Sequence, residues 1–343
     1  MSESSDYQAC RERVGLIDLS ANGKLRLTGG NAVQFLNGLV SNDVKSLEAG
    51  EGVLVAFPNL QGRLLALARV WRIGEALLLE VDEINREKVG RNLSRFVPAG
   101  NFFVADETAT MGMLALLGPE APRIIAALGV SLPPSERREM MLIEVVIDGV
   151  AIQVARHRRS AEEGFDLFIP REGLGTVREK LTSLGVVGVS AATFETIRIE
   201  DGIPREGVDT GEEYIILETG LEEAISYTKG CYLGQEVIAR IHWRGQPARR
   251  LRGLRLDLPR EQVGESLAEF ELTAIDGAQA GRKVGHLTSS TYSEACRGVI
   301  ALGYVHRHYL AAGTVLEVRR KEEKIGEAVV SDLPFRRQST RTD

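Results

Sequence analysis

The N-terminal part of the chain alternates a segment of helical spacing with short apolar runs that are typical of strands. Asn31 is a favourable N-cap, and the apolar positions after it predict a helix: Ala32, Phe35, Leu36, Leu39 and Val40. Apolar runs separated by turn residues then predict an antiparallel meander at residues 53–57, 63–71 and 76–81. A second helix is predicted from Asp82 to Phe96.

A second block, from Met113 to Glu200, repeats this rhythm. It predicts strands at residues 113–117, 141–147, 150–155 and 165–169, and helices at residues 119–128, 172–184 and 190–200. Asp148-Gly149, a strong turn signal, joins two of these strands in a hairpin. Because neighbouring strands are joined by tight turns, the pattern favours an α+β fold with mostly antiparallel sheets over a doubly wound parallel fold.

The pattern changes near residue 250, where short strands with glycine-rich connections replace helical spacing. Strands predicted at residues 251–256, 270–272, 283–289, 299–304 and 315–319 indicate a small β-barrel. We therefore predict two domains, residues 1–248 with two α+β subdomains and a C-terminal β-barrel of residues 249–335. The polar ends, residues 1–8 and 336–343, are expected to be frayed.

The composition of the 343 residues, 43% hydrophobic and 26% charged, is ordinary for a soluble globular protein. No run approaches the roughly 18 to 20 apolar residues of a membrane-spanning helix. The N-terminal residues also lack the pattern of a secretory signal. These features predict a cytoplasmic protein that has no membrane partner.

The cysteines and histidines give no sign of a resident metal. Cys10, Cys231 and Cys296 are far apart in sequence and form no C-x-x-C pair, which argues against a disulfide framework and a zinc knuckle. An iron–sulfur cluster held by this chain alone usually needs four thiolates. The five histidines include no helical i, i+4 pair, so we predict no stably bound metal.

The net charge of −6 gives no general attraction to nucleic acid, but the charge is unevenly distributed. Residues 229–255 contain one acidic side chain, Glu236, and seven basic ones: Lys229, Arg240, Arg244, Arg249, Arg250, Arg252 and Arg255. Such a segment is either a solvated face or a docking site for an anionic partner, such as a polyglutamate tail or an RNA backbone.

Residues 229–236, Lys-Gly-Cys-Tyr-Leu-Gly-Gln-Glu, form the most informative segment of the chain. A helical run of residues 235–241 follows Cys231, and Lys229 precedes it. A helix N-terminus and a nearby cation both favour the thiolate, which is the environment of a reactive cysteine. The alternative is that Cys231 is a small buried residue in a tight turn.

Two acidic positions are candidates for ligand recognition. Glu200 lies at a predicted helix end that runs into a Gly/Pro turn, and Glu162 and Glu163 lie in the turn before the strand of residues 165–169. A partly buried carboxylate can accept two hydrogen bonds from the planar N–H edge of a ligand. The alternative is a helix-terminal ion pair of Glu200 with Arg198 or Arg205.

Several stretches together resemble one superfamily, the aminomethyltransferases of the glycine-cleavage T-protein type. Residues 37–44, which include Asn42 and Asp43, are similar to an early helix and loop of these proteins. Residues 163–166 resemble their G-E-x-G-F-E turn, and residues 198–204 their R-x-E-x-G-x-P motif. Residues 285–289 and 300–305 are similar to their C-terminal barrel, so the resemblance covers nearly the whole chain.

Within that superfamily, K-G-C-Y-x-G-Q-E marks the YgfZ branch, and residues 229–236 match it completely. The resemblance implies a ring-like arrangement of three subdomains with tetrahydrofolate, or a one-carbon derivative, in a central opening. It also implies a role in making or repairing iron–sulfur enzymes, including those that thiolate tRNA. The implied partners are iron–sulfur enzymes or their assembly machinery, with tRNA as a further partner through residues 229–255.

The resemblance assigns roles to individual residues. Cys231 would be the functional thiol, tuned by Lys229 and the following helix, while Tyr232, Gln235 and Glu236 would hold its loop and border the cofactor. Glu200, together with Glu162 or Glu163, would bind the pterin, and Asn42 and Asp43 would contribute to the cofactor site.

One departure from the T-protein pattern bears on catalysis. T-proteins carry paired aspartates where this chain has Ala66 and Leu67, and neither side chain can move a proton. We therefore expect no aminomethyl transfer. Two rival hypotheses are an aminomethyltransferase or demethylase that uses another carboxylate, such as Glu200, and an RNA- or protein-docking module with a vestigial folate pocket.

Overall fold

The computed structural model describes residues 5–131, 139–260, 270–276, 280–321 and 323–336. Its α-helices are α1 Ser5–Glu12, α2 Ala32–Leu39, α3 Arg86–Ser94, α4 Ala121–Ala127, α5 Leu174–Ser183, α6 Ala191–Glu200 and α7 Gln235–Arg244. Its strands are β1 Gly15–Asp18, β2 Gly23–Thr28, β3 Glu51–Pro58, β4 Leu64–Ile73, β5 Ala76–Val81, β6 Phe103–Asp106, β7 Met111–Leu117, β8 Met140–Ile147, β9 Val150–Arg156, β10 Gly164–Pro170, β11 Val187–Gly188, β12 Arg249–Asp257, β13 Phe270–Ala274, β14 Lys283–Ser293, β15 Gly298–His306, β16 Val315–Arg320 and β17 Glu323–Ser331.

The chain divides into two compact units that are not simply successive in sequence. Unit 1 consists of Met1–Ala191 together with Leu221–Val237. Unit 2 consists of Ala192–Gly220 together with Ile238–Asp343. Residues 221–237, which include the segment around Cys231, therefore belong to the same unit as the N-terminal half of the chain.

Unit 1 is built on one eleven-stranded sheet in the order β11-β1-β7-β10-β9-β8-β3-β4-β5-β2-β6. Within the described residues, β1 and β11 run parallel and the other neighbouring strands run antiparallel. The sheet has two halves that meet at β3 and β8, where two residue pairs are in register. So short a junction means that other contacts must hold the halves together.

Each half has its own helical layer and its own apolar core. One core packs α2 and α3 against strands β2 to β5, with Leu36, Ala66 and Leu79 among its members. The other packs α4 and α5 against strands that include β7, β9 and β10, with Ile124 and Leu167 among its members. Because strand side chains alternate between faces, each strand has a second face turned away from these helices.

The second faces of the two halves pack against each other. Trp71 of β4 and Leu78 of β5 form one buried cluster with Phe168 of β10 and with side chains of β7, β8 and β9. Gly52 of β3 makes room for this packing, because a Cβ atom there would lie 2.4 Å from Cδ1 of Trp71. The inner layer of unit 1, between these second faces, is therefore partly apolar, and its polar part is described below.

Unit 2 contains a closed barrel of six strands in the order β12-β15-β14-β13-β16-β17. All of its neighbouring strands run antiparallel in the described residues. Apolar side chains such as Leu254, Phe270 and Val318 fill its core. The predicted α+β class, with mostly antiparallel sheets and a C-terminal β-barrel, is confirmed.

The expectation that residues 1–8 are frayed is wrong for residues 5–8. They belong to α1, in which Tyr7, Ala9 and Cys10 are buried. The polar sequence concealed this helix because only one side of it packs inward. Residues 1–4 and 337–343, to which the same expectation applied, lie outside the described residues.

No helix in the described part of the chain is both long enough and apolar enough to cross a membrane.

The docking of α1 can be tested at Gly15. A Cβ atom at Gly15 would lie 2.4 Å from the Sγ of Cys10 and 2.5 Å from Val189. We expect Gly15→Ala to lower the free energy of unfolding by about 1–3 kcal/mol through overpacking. The control is Gly90→Ala in α3, where nothing lies within 4 Å of the added carbon, and where we expect stabilisation by about 0.5–1 kcal/mol. Urea-induced unfolding measures both, and an unchanged Gly15→Ala variant would contradict the packing of α1.

Candidate functional site

The segment around Cys231 is anchored by the ammonium group of Lys229. Its Nζ donates to the carbonyl oxygens of Asn37 at 2.6 Å, Val40 at 2.8 Å and Asn42 at 2.8 Å. These carbonyls lie at and just after the C-terminal end of α2, where helix carbonyls lack partners and the helix dipole favours a cation. Burial lowers the pKa of Lys229 to about 8. Lys229 therefore acts as a C-terminal cap that is supplied from the other half of the chain.

Further contacts fix the loop on both sides of Cys231. The buried ring of Tyr232 lies 5.2 Å from the Lys229 Nζ, and burial raises the pKa of Tyr232 to about 12. The Leu233 amide donates to the carbonyl of Gly38. Gly234 has φ +76°, and a Cβ atom there would lie 2.3 Å from the carbonyl oxygen of Asn59. The second glycine of the segment is therefore required for close approach to the turn after β3.

Cys231 itself is exposed. The alternative interpretation of Cys231 as a small buried residue in a tight turn is therefore wrong. Helix α7 begins at Gln235, whose amide donates to the carbonyl of Tyr232, and Glu236 lies exposed in its first turn. The Lys229 ammonium donates to carbonyl oxygens, so the proposed tuning of Cys231 by Lys229 stays a prediction.

Asn42 and Asp43 have partners within the same unit. The Asn42 side-chain amide donates to the carbonyls of Leu54 and Glu223, at 2.9 and 2.8 Å. The Asp43 carboxylate accepts from the amides of Lys45 and Ser46. Asn42 thus links the end of α2 to β3 and to residues 221–237. That Asn42 and Asp43 contact a cofactor stays a prediction.

A buried cluster of charges occupies the polar part of the inner layer in unit 1. Glu80 of β5 accepts from Arg69 at 2.8 Å and from Asn22 at 2.5 Å, and it lies 3.2 Å from Nη2 of Arg159. Arg159 also donates two parallel hydrogen bonds, of 2.7 and 2.9 Å, to the carboxylate of Asp166 in β10. Since Glu80 belongs to one half of the sheet and Arg159 to the other, the cluster joins the halves.

Burial and the two arginines of the cluster shift the pKa values of Glu80 and His157. Burial alone would raise the pKa of Glu80, but Arg159 and Arg69 outweigh it and lower the pKa to about 2. Burial and both arginines lower the pKa of His157 well below its usual value, and its Nε2 accepts from Nε of Arg69 at 2.5 Å. His157 is therefore neutral, and Glu80 is charged over the physiological range.

The strand register shows which side of β4 faces this cluster. Arg69 pairs across the sheet with Glu80, and Glu80 pairs with the buried Lys24 of β2. Leu67 lies two residues before Arg69 and thus on the same face, whereas Ala66 packs in the helix-facing core. Of the two positions predicted to depart from the T-protein pattern, Leu67 is the one beside buried charge.

Glu162 and Glu163, the acidic residues predicted to bind a ligand in the turn before β10, are not fully buried. Glu163 is half exposed and pairs with Arg156 at 3.2 Å, while Glu162 is partly buried. Asp166, three residues beyond Glu163, is fully buried. Sequence reasoning missed Asp166, although a charged residue inside an otherwise apolar strand is a signal of a buried ion pair.

In unit 2, Glu200 ends α6 and is fully buried. Its Oε1 accepts the hydroxyl of Ser293 at 2.5 Å. Arg198 pairs with Glu195 and with Asp209, the latter at 2.7 Å, and Arg205 pairs with Glu195 at 3.0 Å. The two arginines considered as partners of Glu200 are thus engaged by other carboxylates.

Asp209 is a further residue that sequence reasoning missed. Its carboxylate is fully buried and accepts from Arg198, Thr288 and Ser289. It thereby ties α6 to β14 within unit 2. Across the described residues of both units, no group of three His, Cys, Asp or Glu side chains is arranged to hold a metal ion.

The charge cluster makes a testable prediction about stability and pH. Replacing Glu80 by Gln leaves the buried Arg159 and the partly buried Arg69 with one carboxylate, so we expect a loss of about 3–5 kcal/mol at neutral pH. The folded pKa of Glu80 lies below its ordinary value of 4.5. Its stabilising effect is therefore present above pH 4.5 and is lost as the pH falls toward about 2. The difference between the two proteins should shrink over that interval.

Urea-induced unfolding at a series of pH values, followed by circular dichroism, measures this difference. The control is Glu87→Gln, which removes an exposed i, i+4 pair with Arg91 and should change stability by less than about 1 kcal/mol. A Glu80→Gln variant as stable as the control at every pH would contradict a joining role for the cluster.

Comparison with known proteins agrees with this architecture. Residues 2–229 match the family model of the GCVT N-terminal domain, and residues 249–336 match that of the glycine cleavage T-protein C-terminal barrel domain. An aminomethyltransferase of Frankia alni is 30% identical over 339 residues, which cover 96% of this chain and 88% of the relative. A chloroplastic protein of Arabidopsis thaliana, named as a transferase, is 29% identical over 326 residues, with coverages of 94% and 71%.

The crystal structure of the glycine cleavage system aminomethyltransferase T of Bartonella henselae has the same fold. It superposes with a TM-score of 0.83 and covers 96% of this chain and 88% of its own, at 24% identity. The superfamily resemblance predicted from the sequence is thus confirmed. Two family models that together span most of the sequence, and a relative aligned over nearly all of it, establish that the chain belongs to the glycine cleavage T-protein family.

Proposed function

We propose that this chain is a tetrahydrofolate-binding accessory protein for iron–sulfur cluster assembly and repair, of the YgfZ type, that acts through Cys231 and does not transfer aminomethyl groups. One observation carries the proposal. The thiol of Cys231 is exposed, and the loop around it is held in place by contacts of Lys229, Tyr232 and Gly234. A loop held this firmly around an exposed nucleophile fits a reactive group better than a structural one.

The other two cysteines are less suited to such chemistry. Cys10 is buried in α1, and burial raises the pKa of its thiol to about 12, so it stays protonated. Cys296 is partly buried and lies in the turn after β14. Cys231 therefore combines the motif position with the greatest access to solvent, and a partner protein or a passing cluster could reach it.

Folate binding is supported by family membership and by Glu200. The position of Glu200 in the R-x-E-x-G-x-P motif, its full burial and its hydrogen bond from Ser293 give it a fixed orientation. An oriented buried carboxylate can accept a pair of hydrogen bonds from the N–H and amino edge of a pterin. Glu163 is a weaker candidate because it already pairs with Arg156, while Glu162 is partly buried and stays a candidate.

The proposed absence of aminomethyl transfer rests on β4. Ala66 and Leu67 are buried and offer neither a proton nor a negative charge. Loss of a general acid or base typically lowers a rate by about 10²- to 10⁴-fold. A ligand-binding frame can therefore persist in a protein that has lost transfer activity.

A second candidate function is aminomethyl transfer or folate-dependent demethylation by another carboxylate. Bacterial relatives named aminomethyltransferase favour it, and Glu80 lies in the cluster that Leu67 faces. Release of ammonia or formaldehyde from a methylamine substrate, dependent on tetrahydrofolate, would support this candidate. Tetrahydrofolate binding without product release would support the accessory role.

Tetrahydrofolate binding can be measured by calorimetric titration of the reduced protein. We expect saturable binding at one site, and we expect Glu200→Gln to weaken it at least tenfold because an amide cannot pair with both pterin donors. Glu163→Gln is the matched control and should bind as the unchanged protein does. Equal binding by the two variants would remove the role given to Glu200, and no binding by the unchanged protein would remove the folate proposal.

The role of Cys231 can be tested in bacteria that lack their own YgfZ-type protein. We expect Cys231→Ala to fold normally, with stability changed by less than about 0.5 kcal/mol because the side chain is exposed. We also expect it to fail to restore the activity of an iron–sulfur enzyme that thiolates tRNA. Cys296→Ala is the control and should restore that activity. Full restoration by Cys231→Ala would contradict the functional-thiol proposal.

A further inference from the structure

The C-terminal end of α7 carries an exposed tryptophan beside an open cleft in unit 2. Trp243 is 70% exposed, whereas Trp71 is fully buried. The cleft has a volume of about 600 Å³ and is lined by Trp243, Arg244, Gly245, Gln246, Arg307 and His308. An exposed indole at the edge of a cleft is a common sign of a binding surface, because Trp is otherwise highly buried.

The fold builds this cleft from two neighbouring turns. Helix α7 ends where the Gly245 amide donates to the carbonyl of Ile241. The chain then enters β12, whose first residue, Arg249, pairs with His306 at the end of β15. The Arg307 amide donates to the carbonyl of Ala248 at 2.9 Å. The arginine at the end of α7 and the arginine after β15 thus reach the same cleft.

The cleft is cationic. Among the described residues, its lining contains two guanidinium groups and no carboxylate, and no carboxylate lies within 4 Å of Arg244 or Arg307. Other arginines of the basic segment differ in this respect. Arg249 pairs with Glu218 at 3.2 Å, and Arg252 pairs with Asp332 at 2.6 Å. Two of the four arginines of β12 therefore have carboxylate partners, whereas the described lining of the cleft contains no carboxylate.

The indole of Trp243 favours anionic ligands that contain a flat ring. The imidazole of His242 packs edge-on against the indole, with ring centroids 4.7 Å apart. This contact helps to fix the orientation of a side chain that is otherwise largely open to solvent. An acidic peptide satisfies the arginines but offers no flat ring to the indole, whereas a nucleotide offers both a base and a phosphate. The volume of the cleft also falls within the range of cavities that hold small ligands.

We propose that this cleft binds single-stranded nucleic acid, with a base stacked on Trp243 and backbone phosphates paired with Arg244 and Arg307. Single strands fit because their bases are free to stack, whereas bases in a duplex are covered. Arginine suits phosphate because its planar group can donate two parallel hydrogen bonds. The proposal depends neither on folate binding nor on Cys231.

Fluorescence anisotropy with a labelled single-stranded RNA decamer tests the proposal. We expect saturable binding that weakens as salt is added, because phosphate contacts release counterions. Trp243→Ala should weaken binding by roughly tenfold or more, and Trp243→Phe should restore part of the loss. Arg244→Ala and Arg307→Ala should each lower the slope of log affinity against log salt by roughly one.

The controls remove an aromatic and an arginine elsewhere. Phe103→Ala, at a 61% exposed position of β6, and Arg123→Ala, on α4, should bind RNA as the unchanged protein does. Cys231→Ala and saturating tetrahydrofolate should also leave RNA binding unchanged, which separates this proposal from the accessory role. A DNA decamer of the same sequence distinguishes a general single-strand site, if it binds equally, from a ribose-selective one.

Two results would overturn the proposal. One is RNA binding that Trp243→Ala leaves unchanged, since the base would then stack elsewhere. The other is failure of the RNA to bind at low salt, whether or not a polyglutamate peptide binds under the same conditions.

Discussion

A buried ion network, together with the apolar cluster around Trp71, links the two halves of the sheet in unit 1. The two halves of the sheet share two residue pairs in register at β3 and β8. Arg159 spans the halves by binding Glu80 on one side and Asp166 on the other. Both carboxylates are fully buried, so removing either partner would leave an uncompensated charge. Such a network is a weak source of net stability, although breaking it by removing one partner is costly.

This network also bears on the proposed loss of a catalytic carboxylate from β4. The face of β4 that carries Leu67 already has charged neighbours, which are supplied by Arg69, Glu80 and Lys24. The face of β4 that carries Leu67 therefore still has charged neighbours, although Leu67 itself is apolar. On the opposite face, Ala66 is packed in the core beneath α2 and α3, where a carboxylate would lack water. Ala66 and Leu67 thus have quite different surroundings, although they are adjacent in sequence.

Local patterns in the sequence predicted the elements whose signals are local. The hairpin at Asp148-Gly149 is observed, and both residues have the positive φ angles that such a turn requires. The N-terminal helix was missed because its apolar residues are few, and β17 was missed because charged and apolar residues alternate irregularly in it.

The interactions that assemble the candidate site have no local signal. Lys229 caps a helix that ends about 190 residues earlier, and nothing in its immediate neighbours predicts that contact. Arg159 lies in a loop, and its partner Glu80 is on a strand from the other half of the sheet. For the same reason, the motif around Cys231 could be found in the sequence, whereas the burial of Asp209 could not. Long-range pairing of polar groups depends on topology, which a single sequence specifies only indirectly.

The return of residues 221–237 to unit 1 has a consequence for biosynthesis. During translation the first 191 residues emerge with the carbonyls at the end of α2 uncapped, because Lys229 has not yet been made. The side chains of Ser41 and Asn42 likewise cannot donate to the carbonyls of Ala224 and Glu223 until those residues have been synthesised. The N-terminal unit therefore cannot complete its fold before residues 192–220 of unit 2 and its own residues 221–237 have been synthesised. The loop that carries Cys231 is formed in the same step, so the exposed thiol acquires its contacts before residues 238–343 of unit 2 have been synthesised.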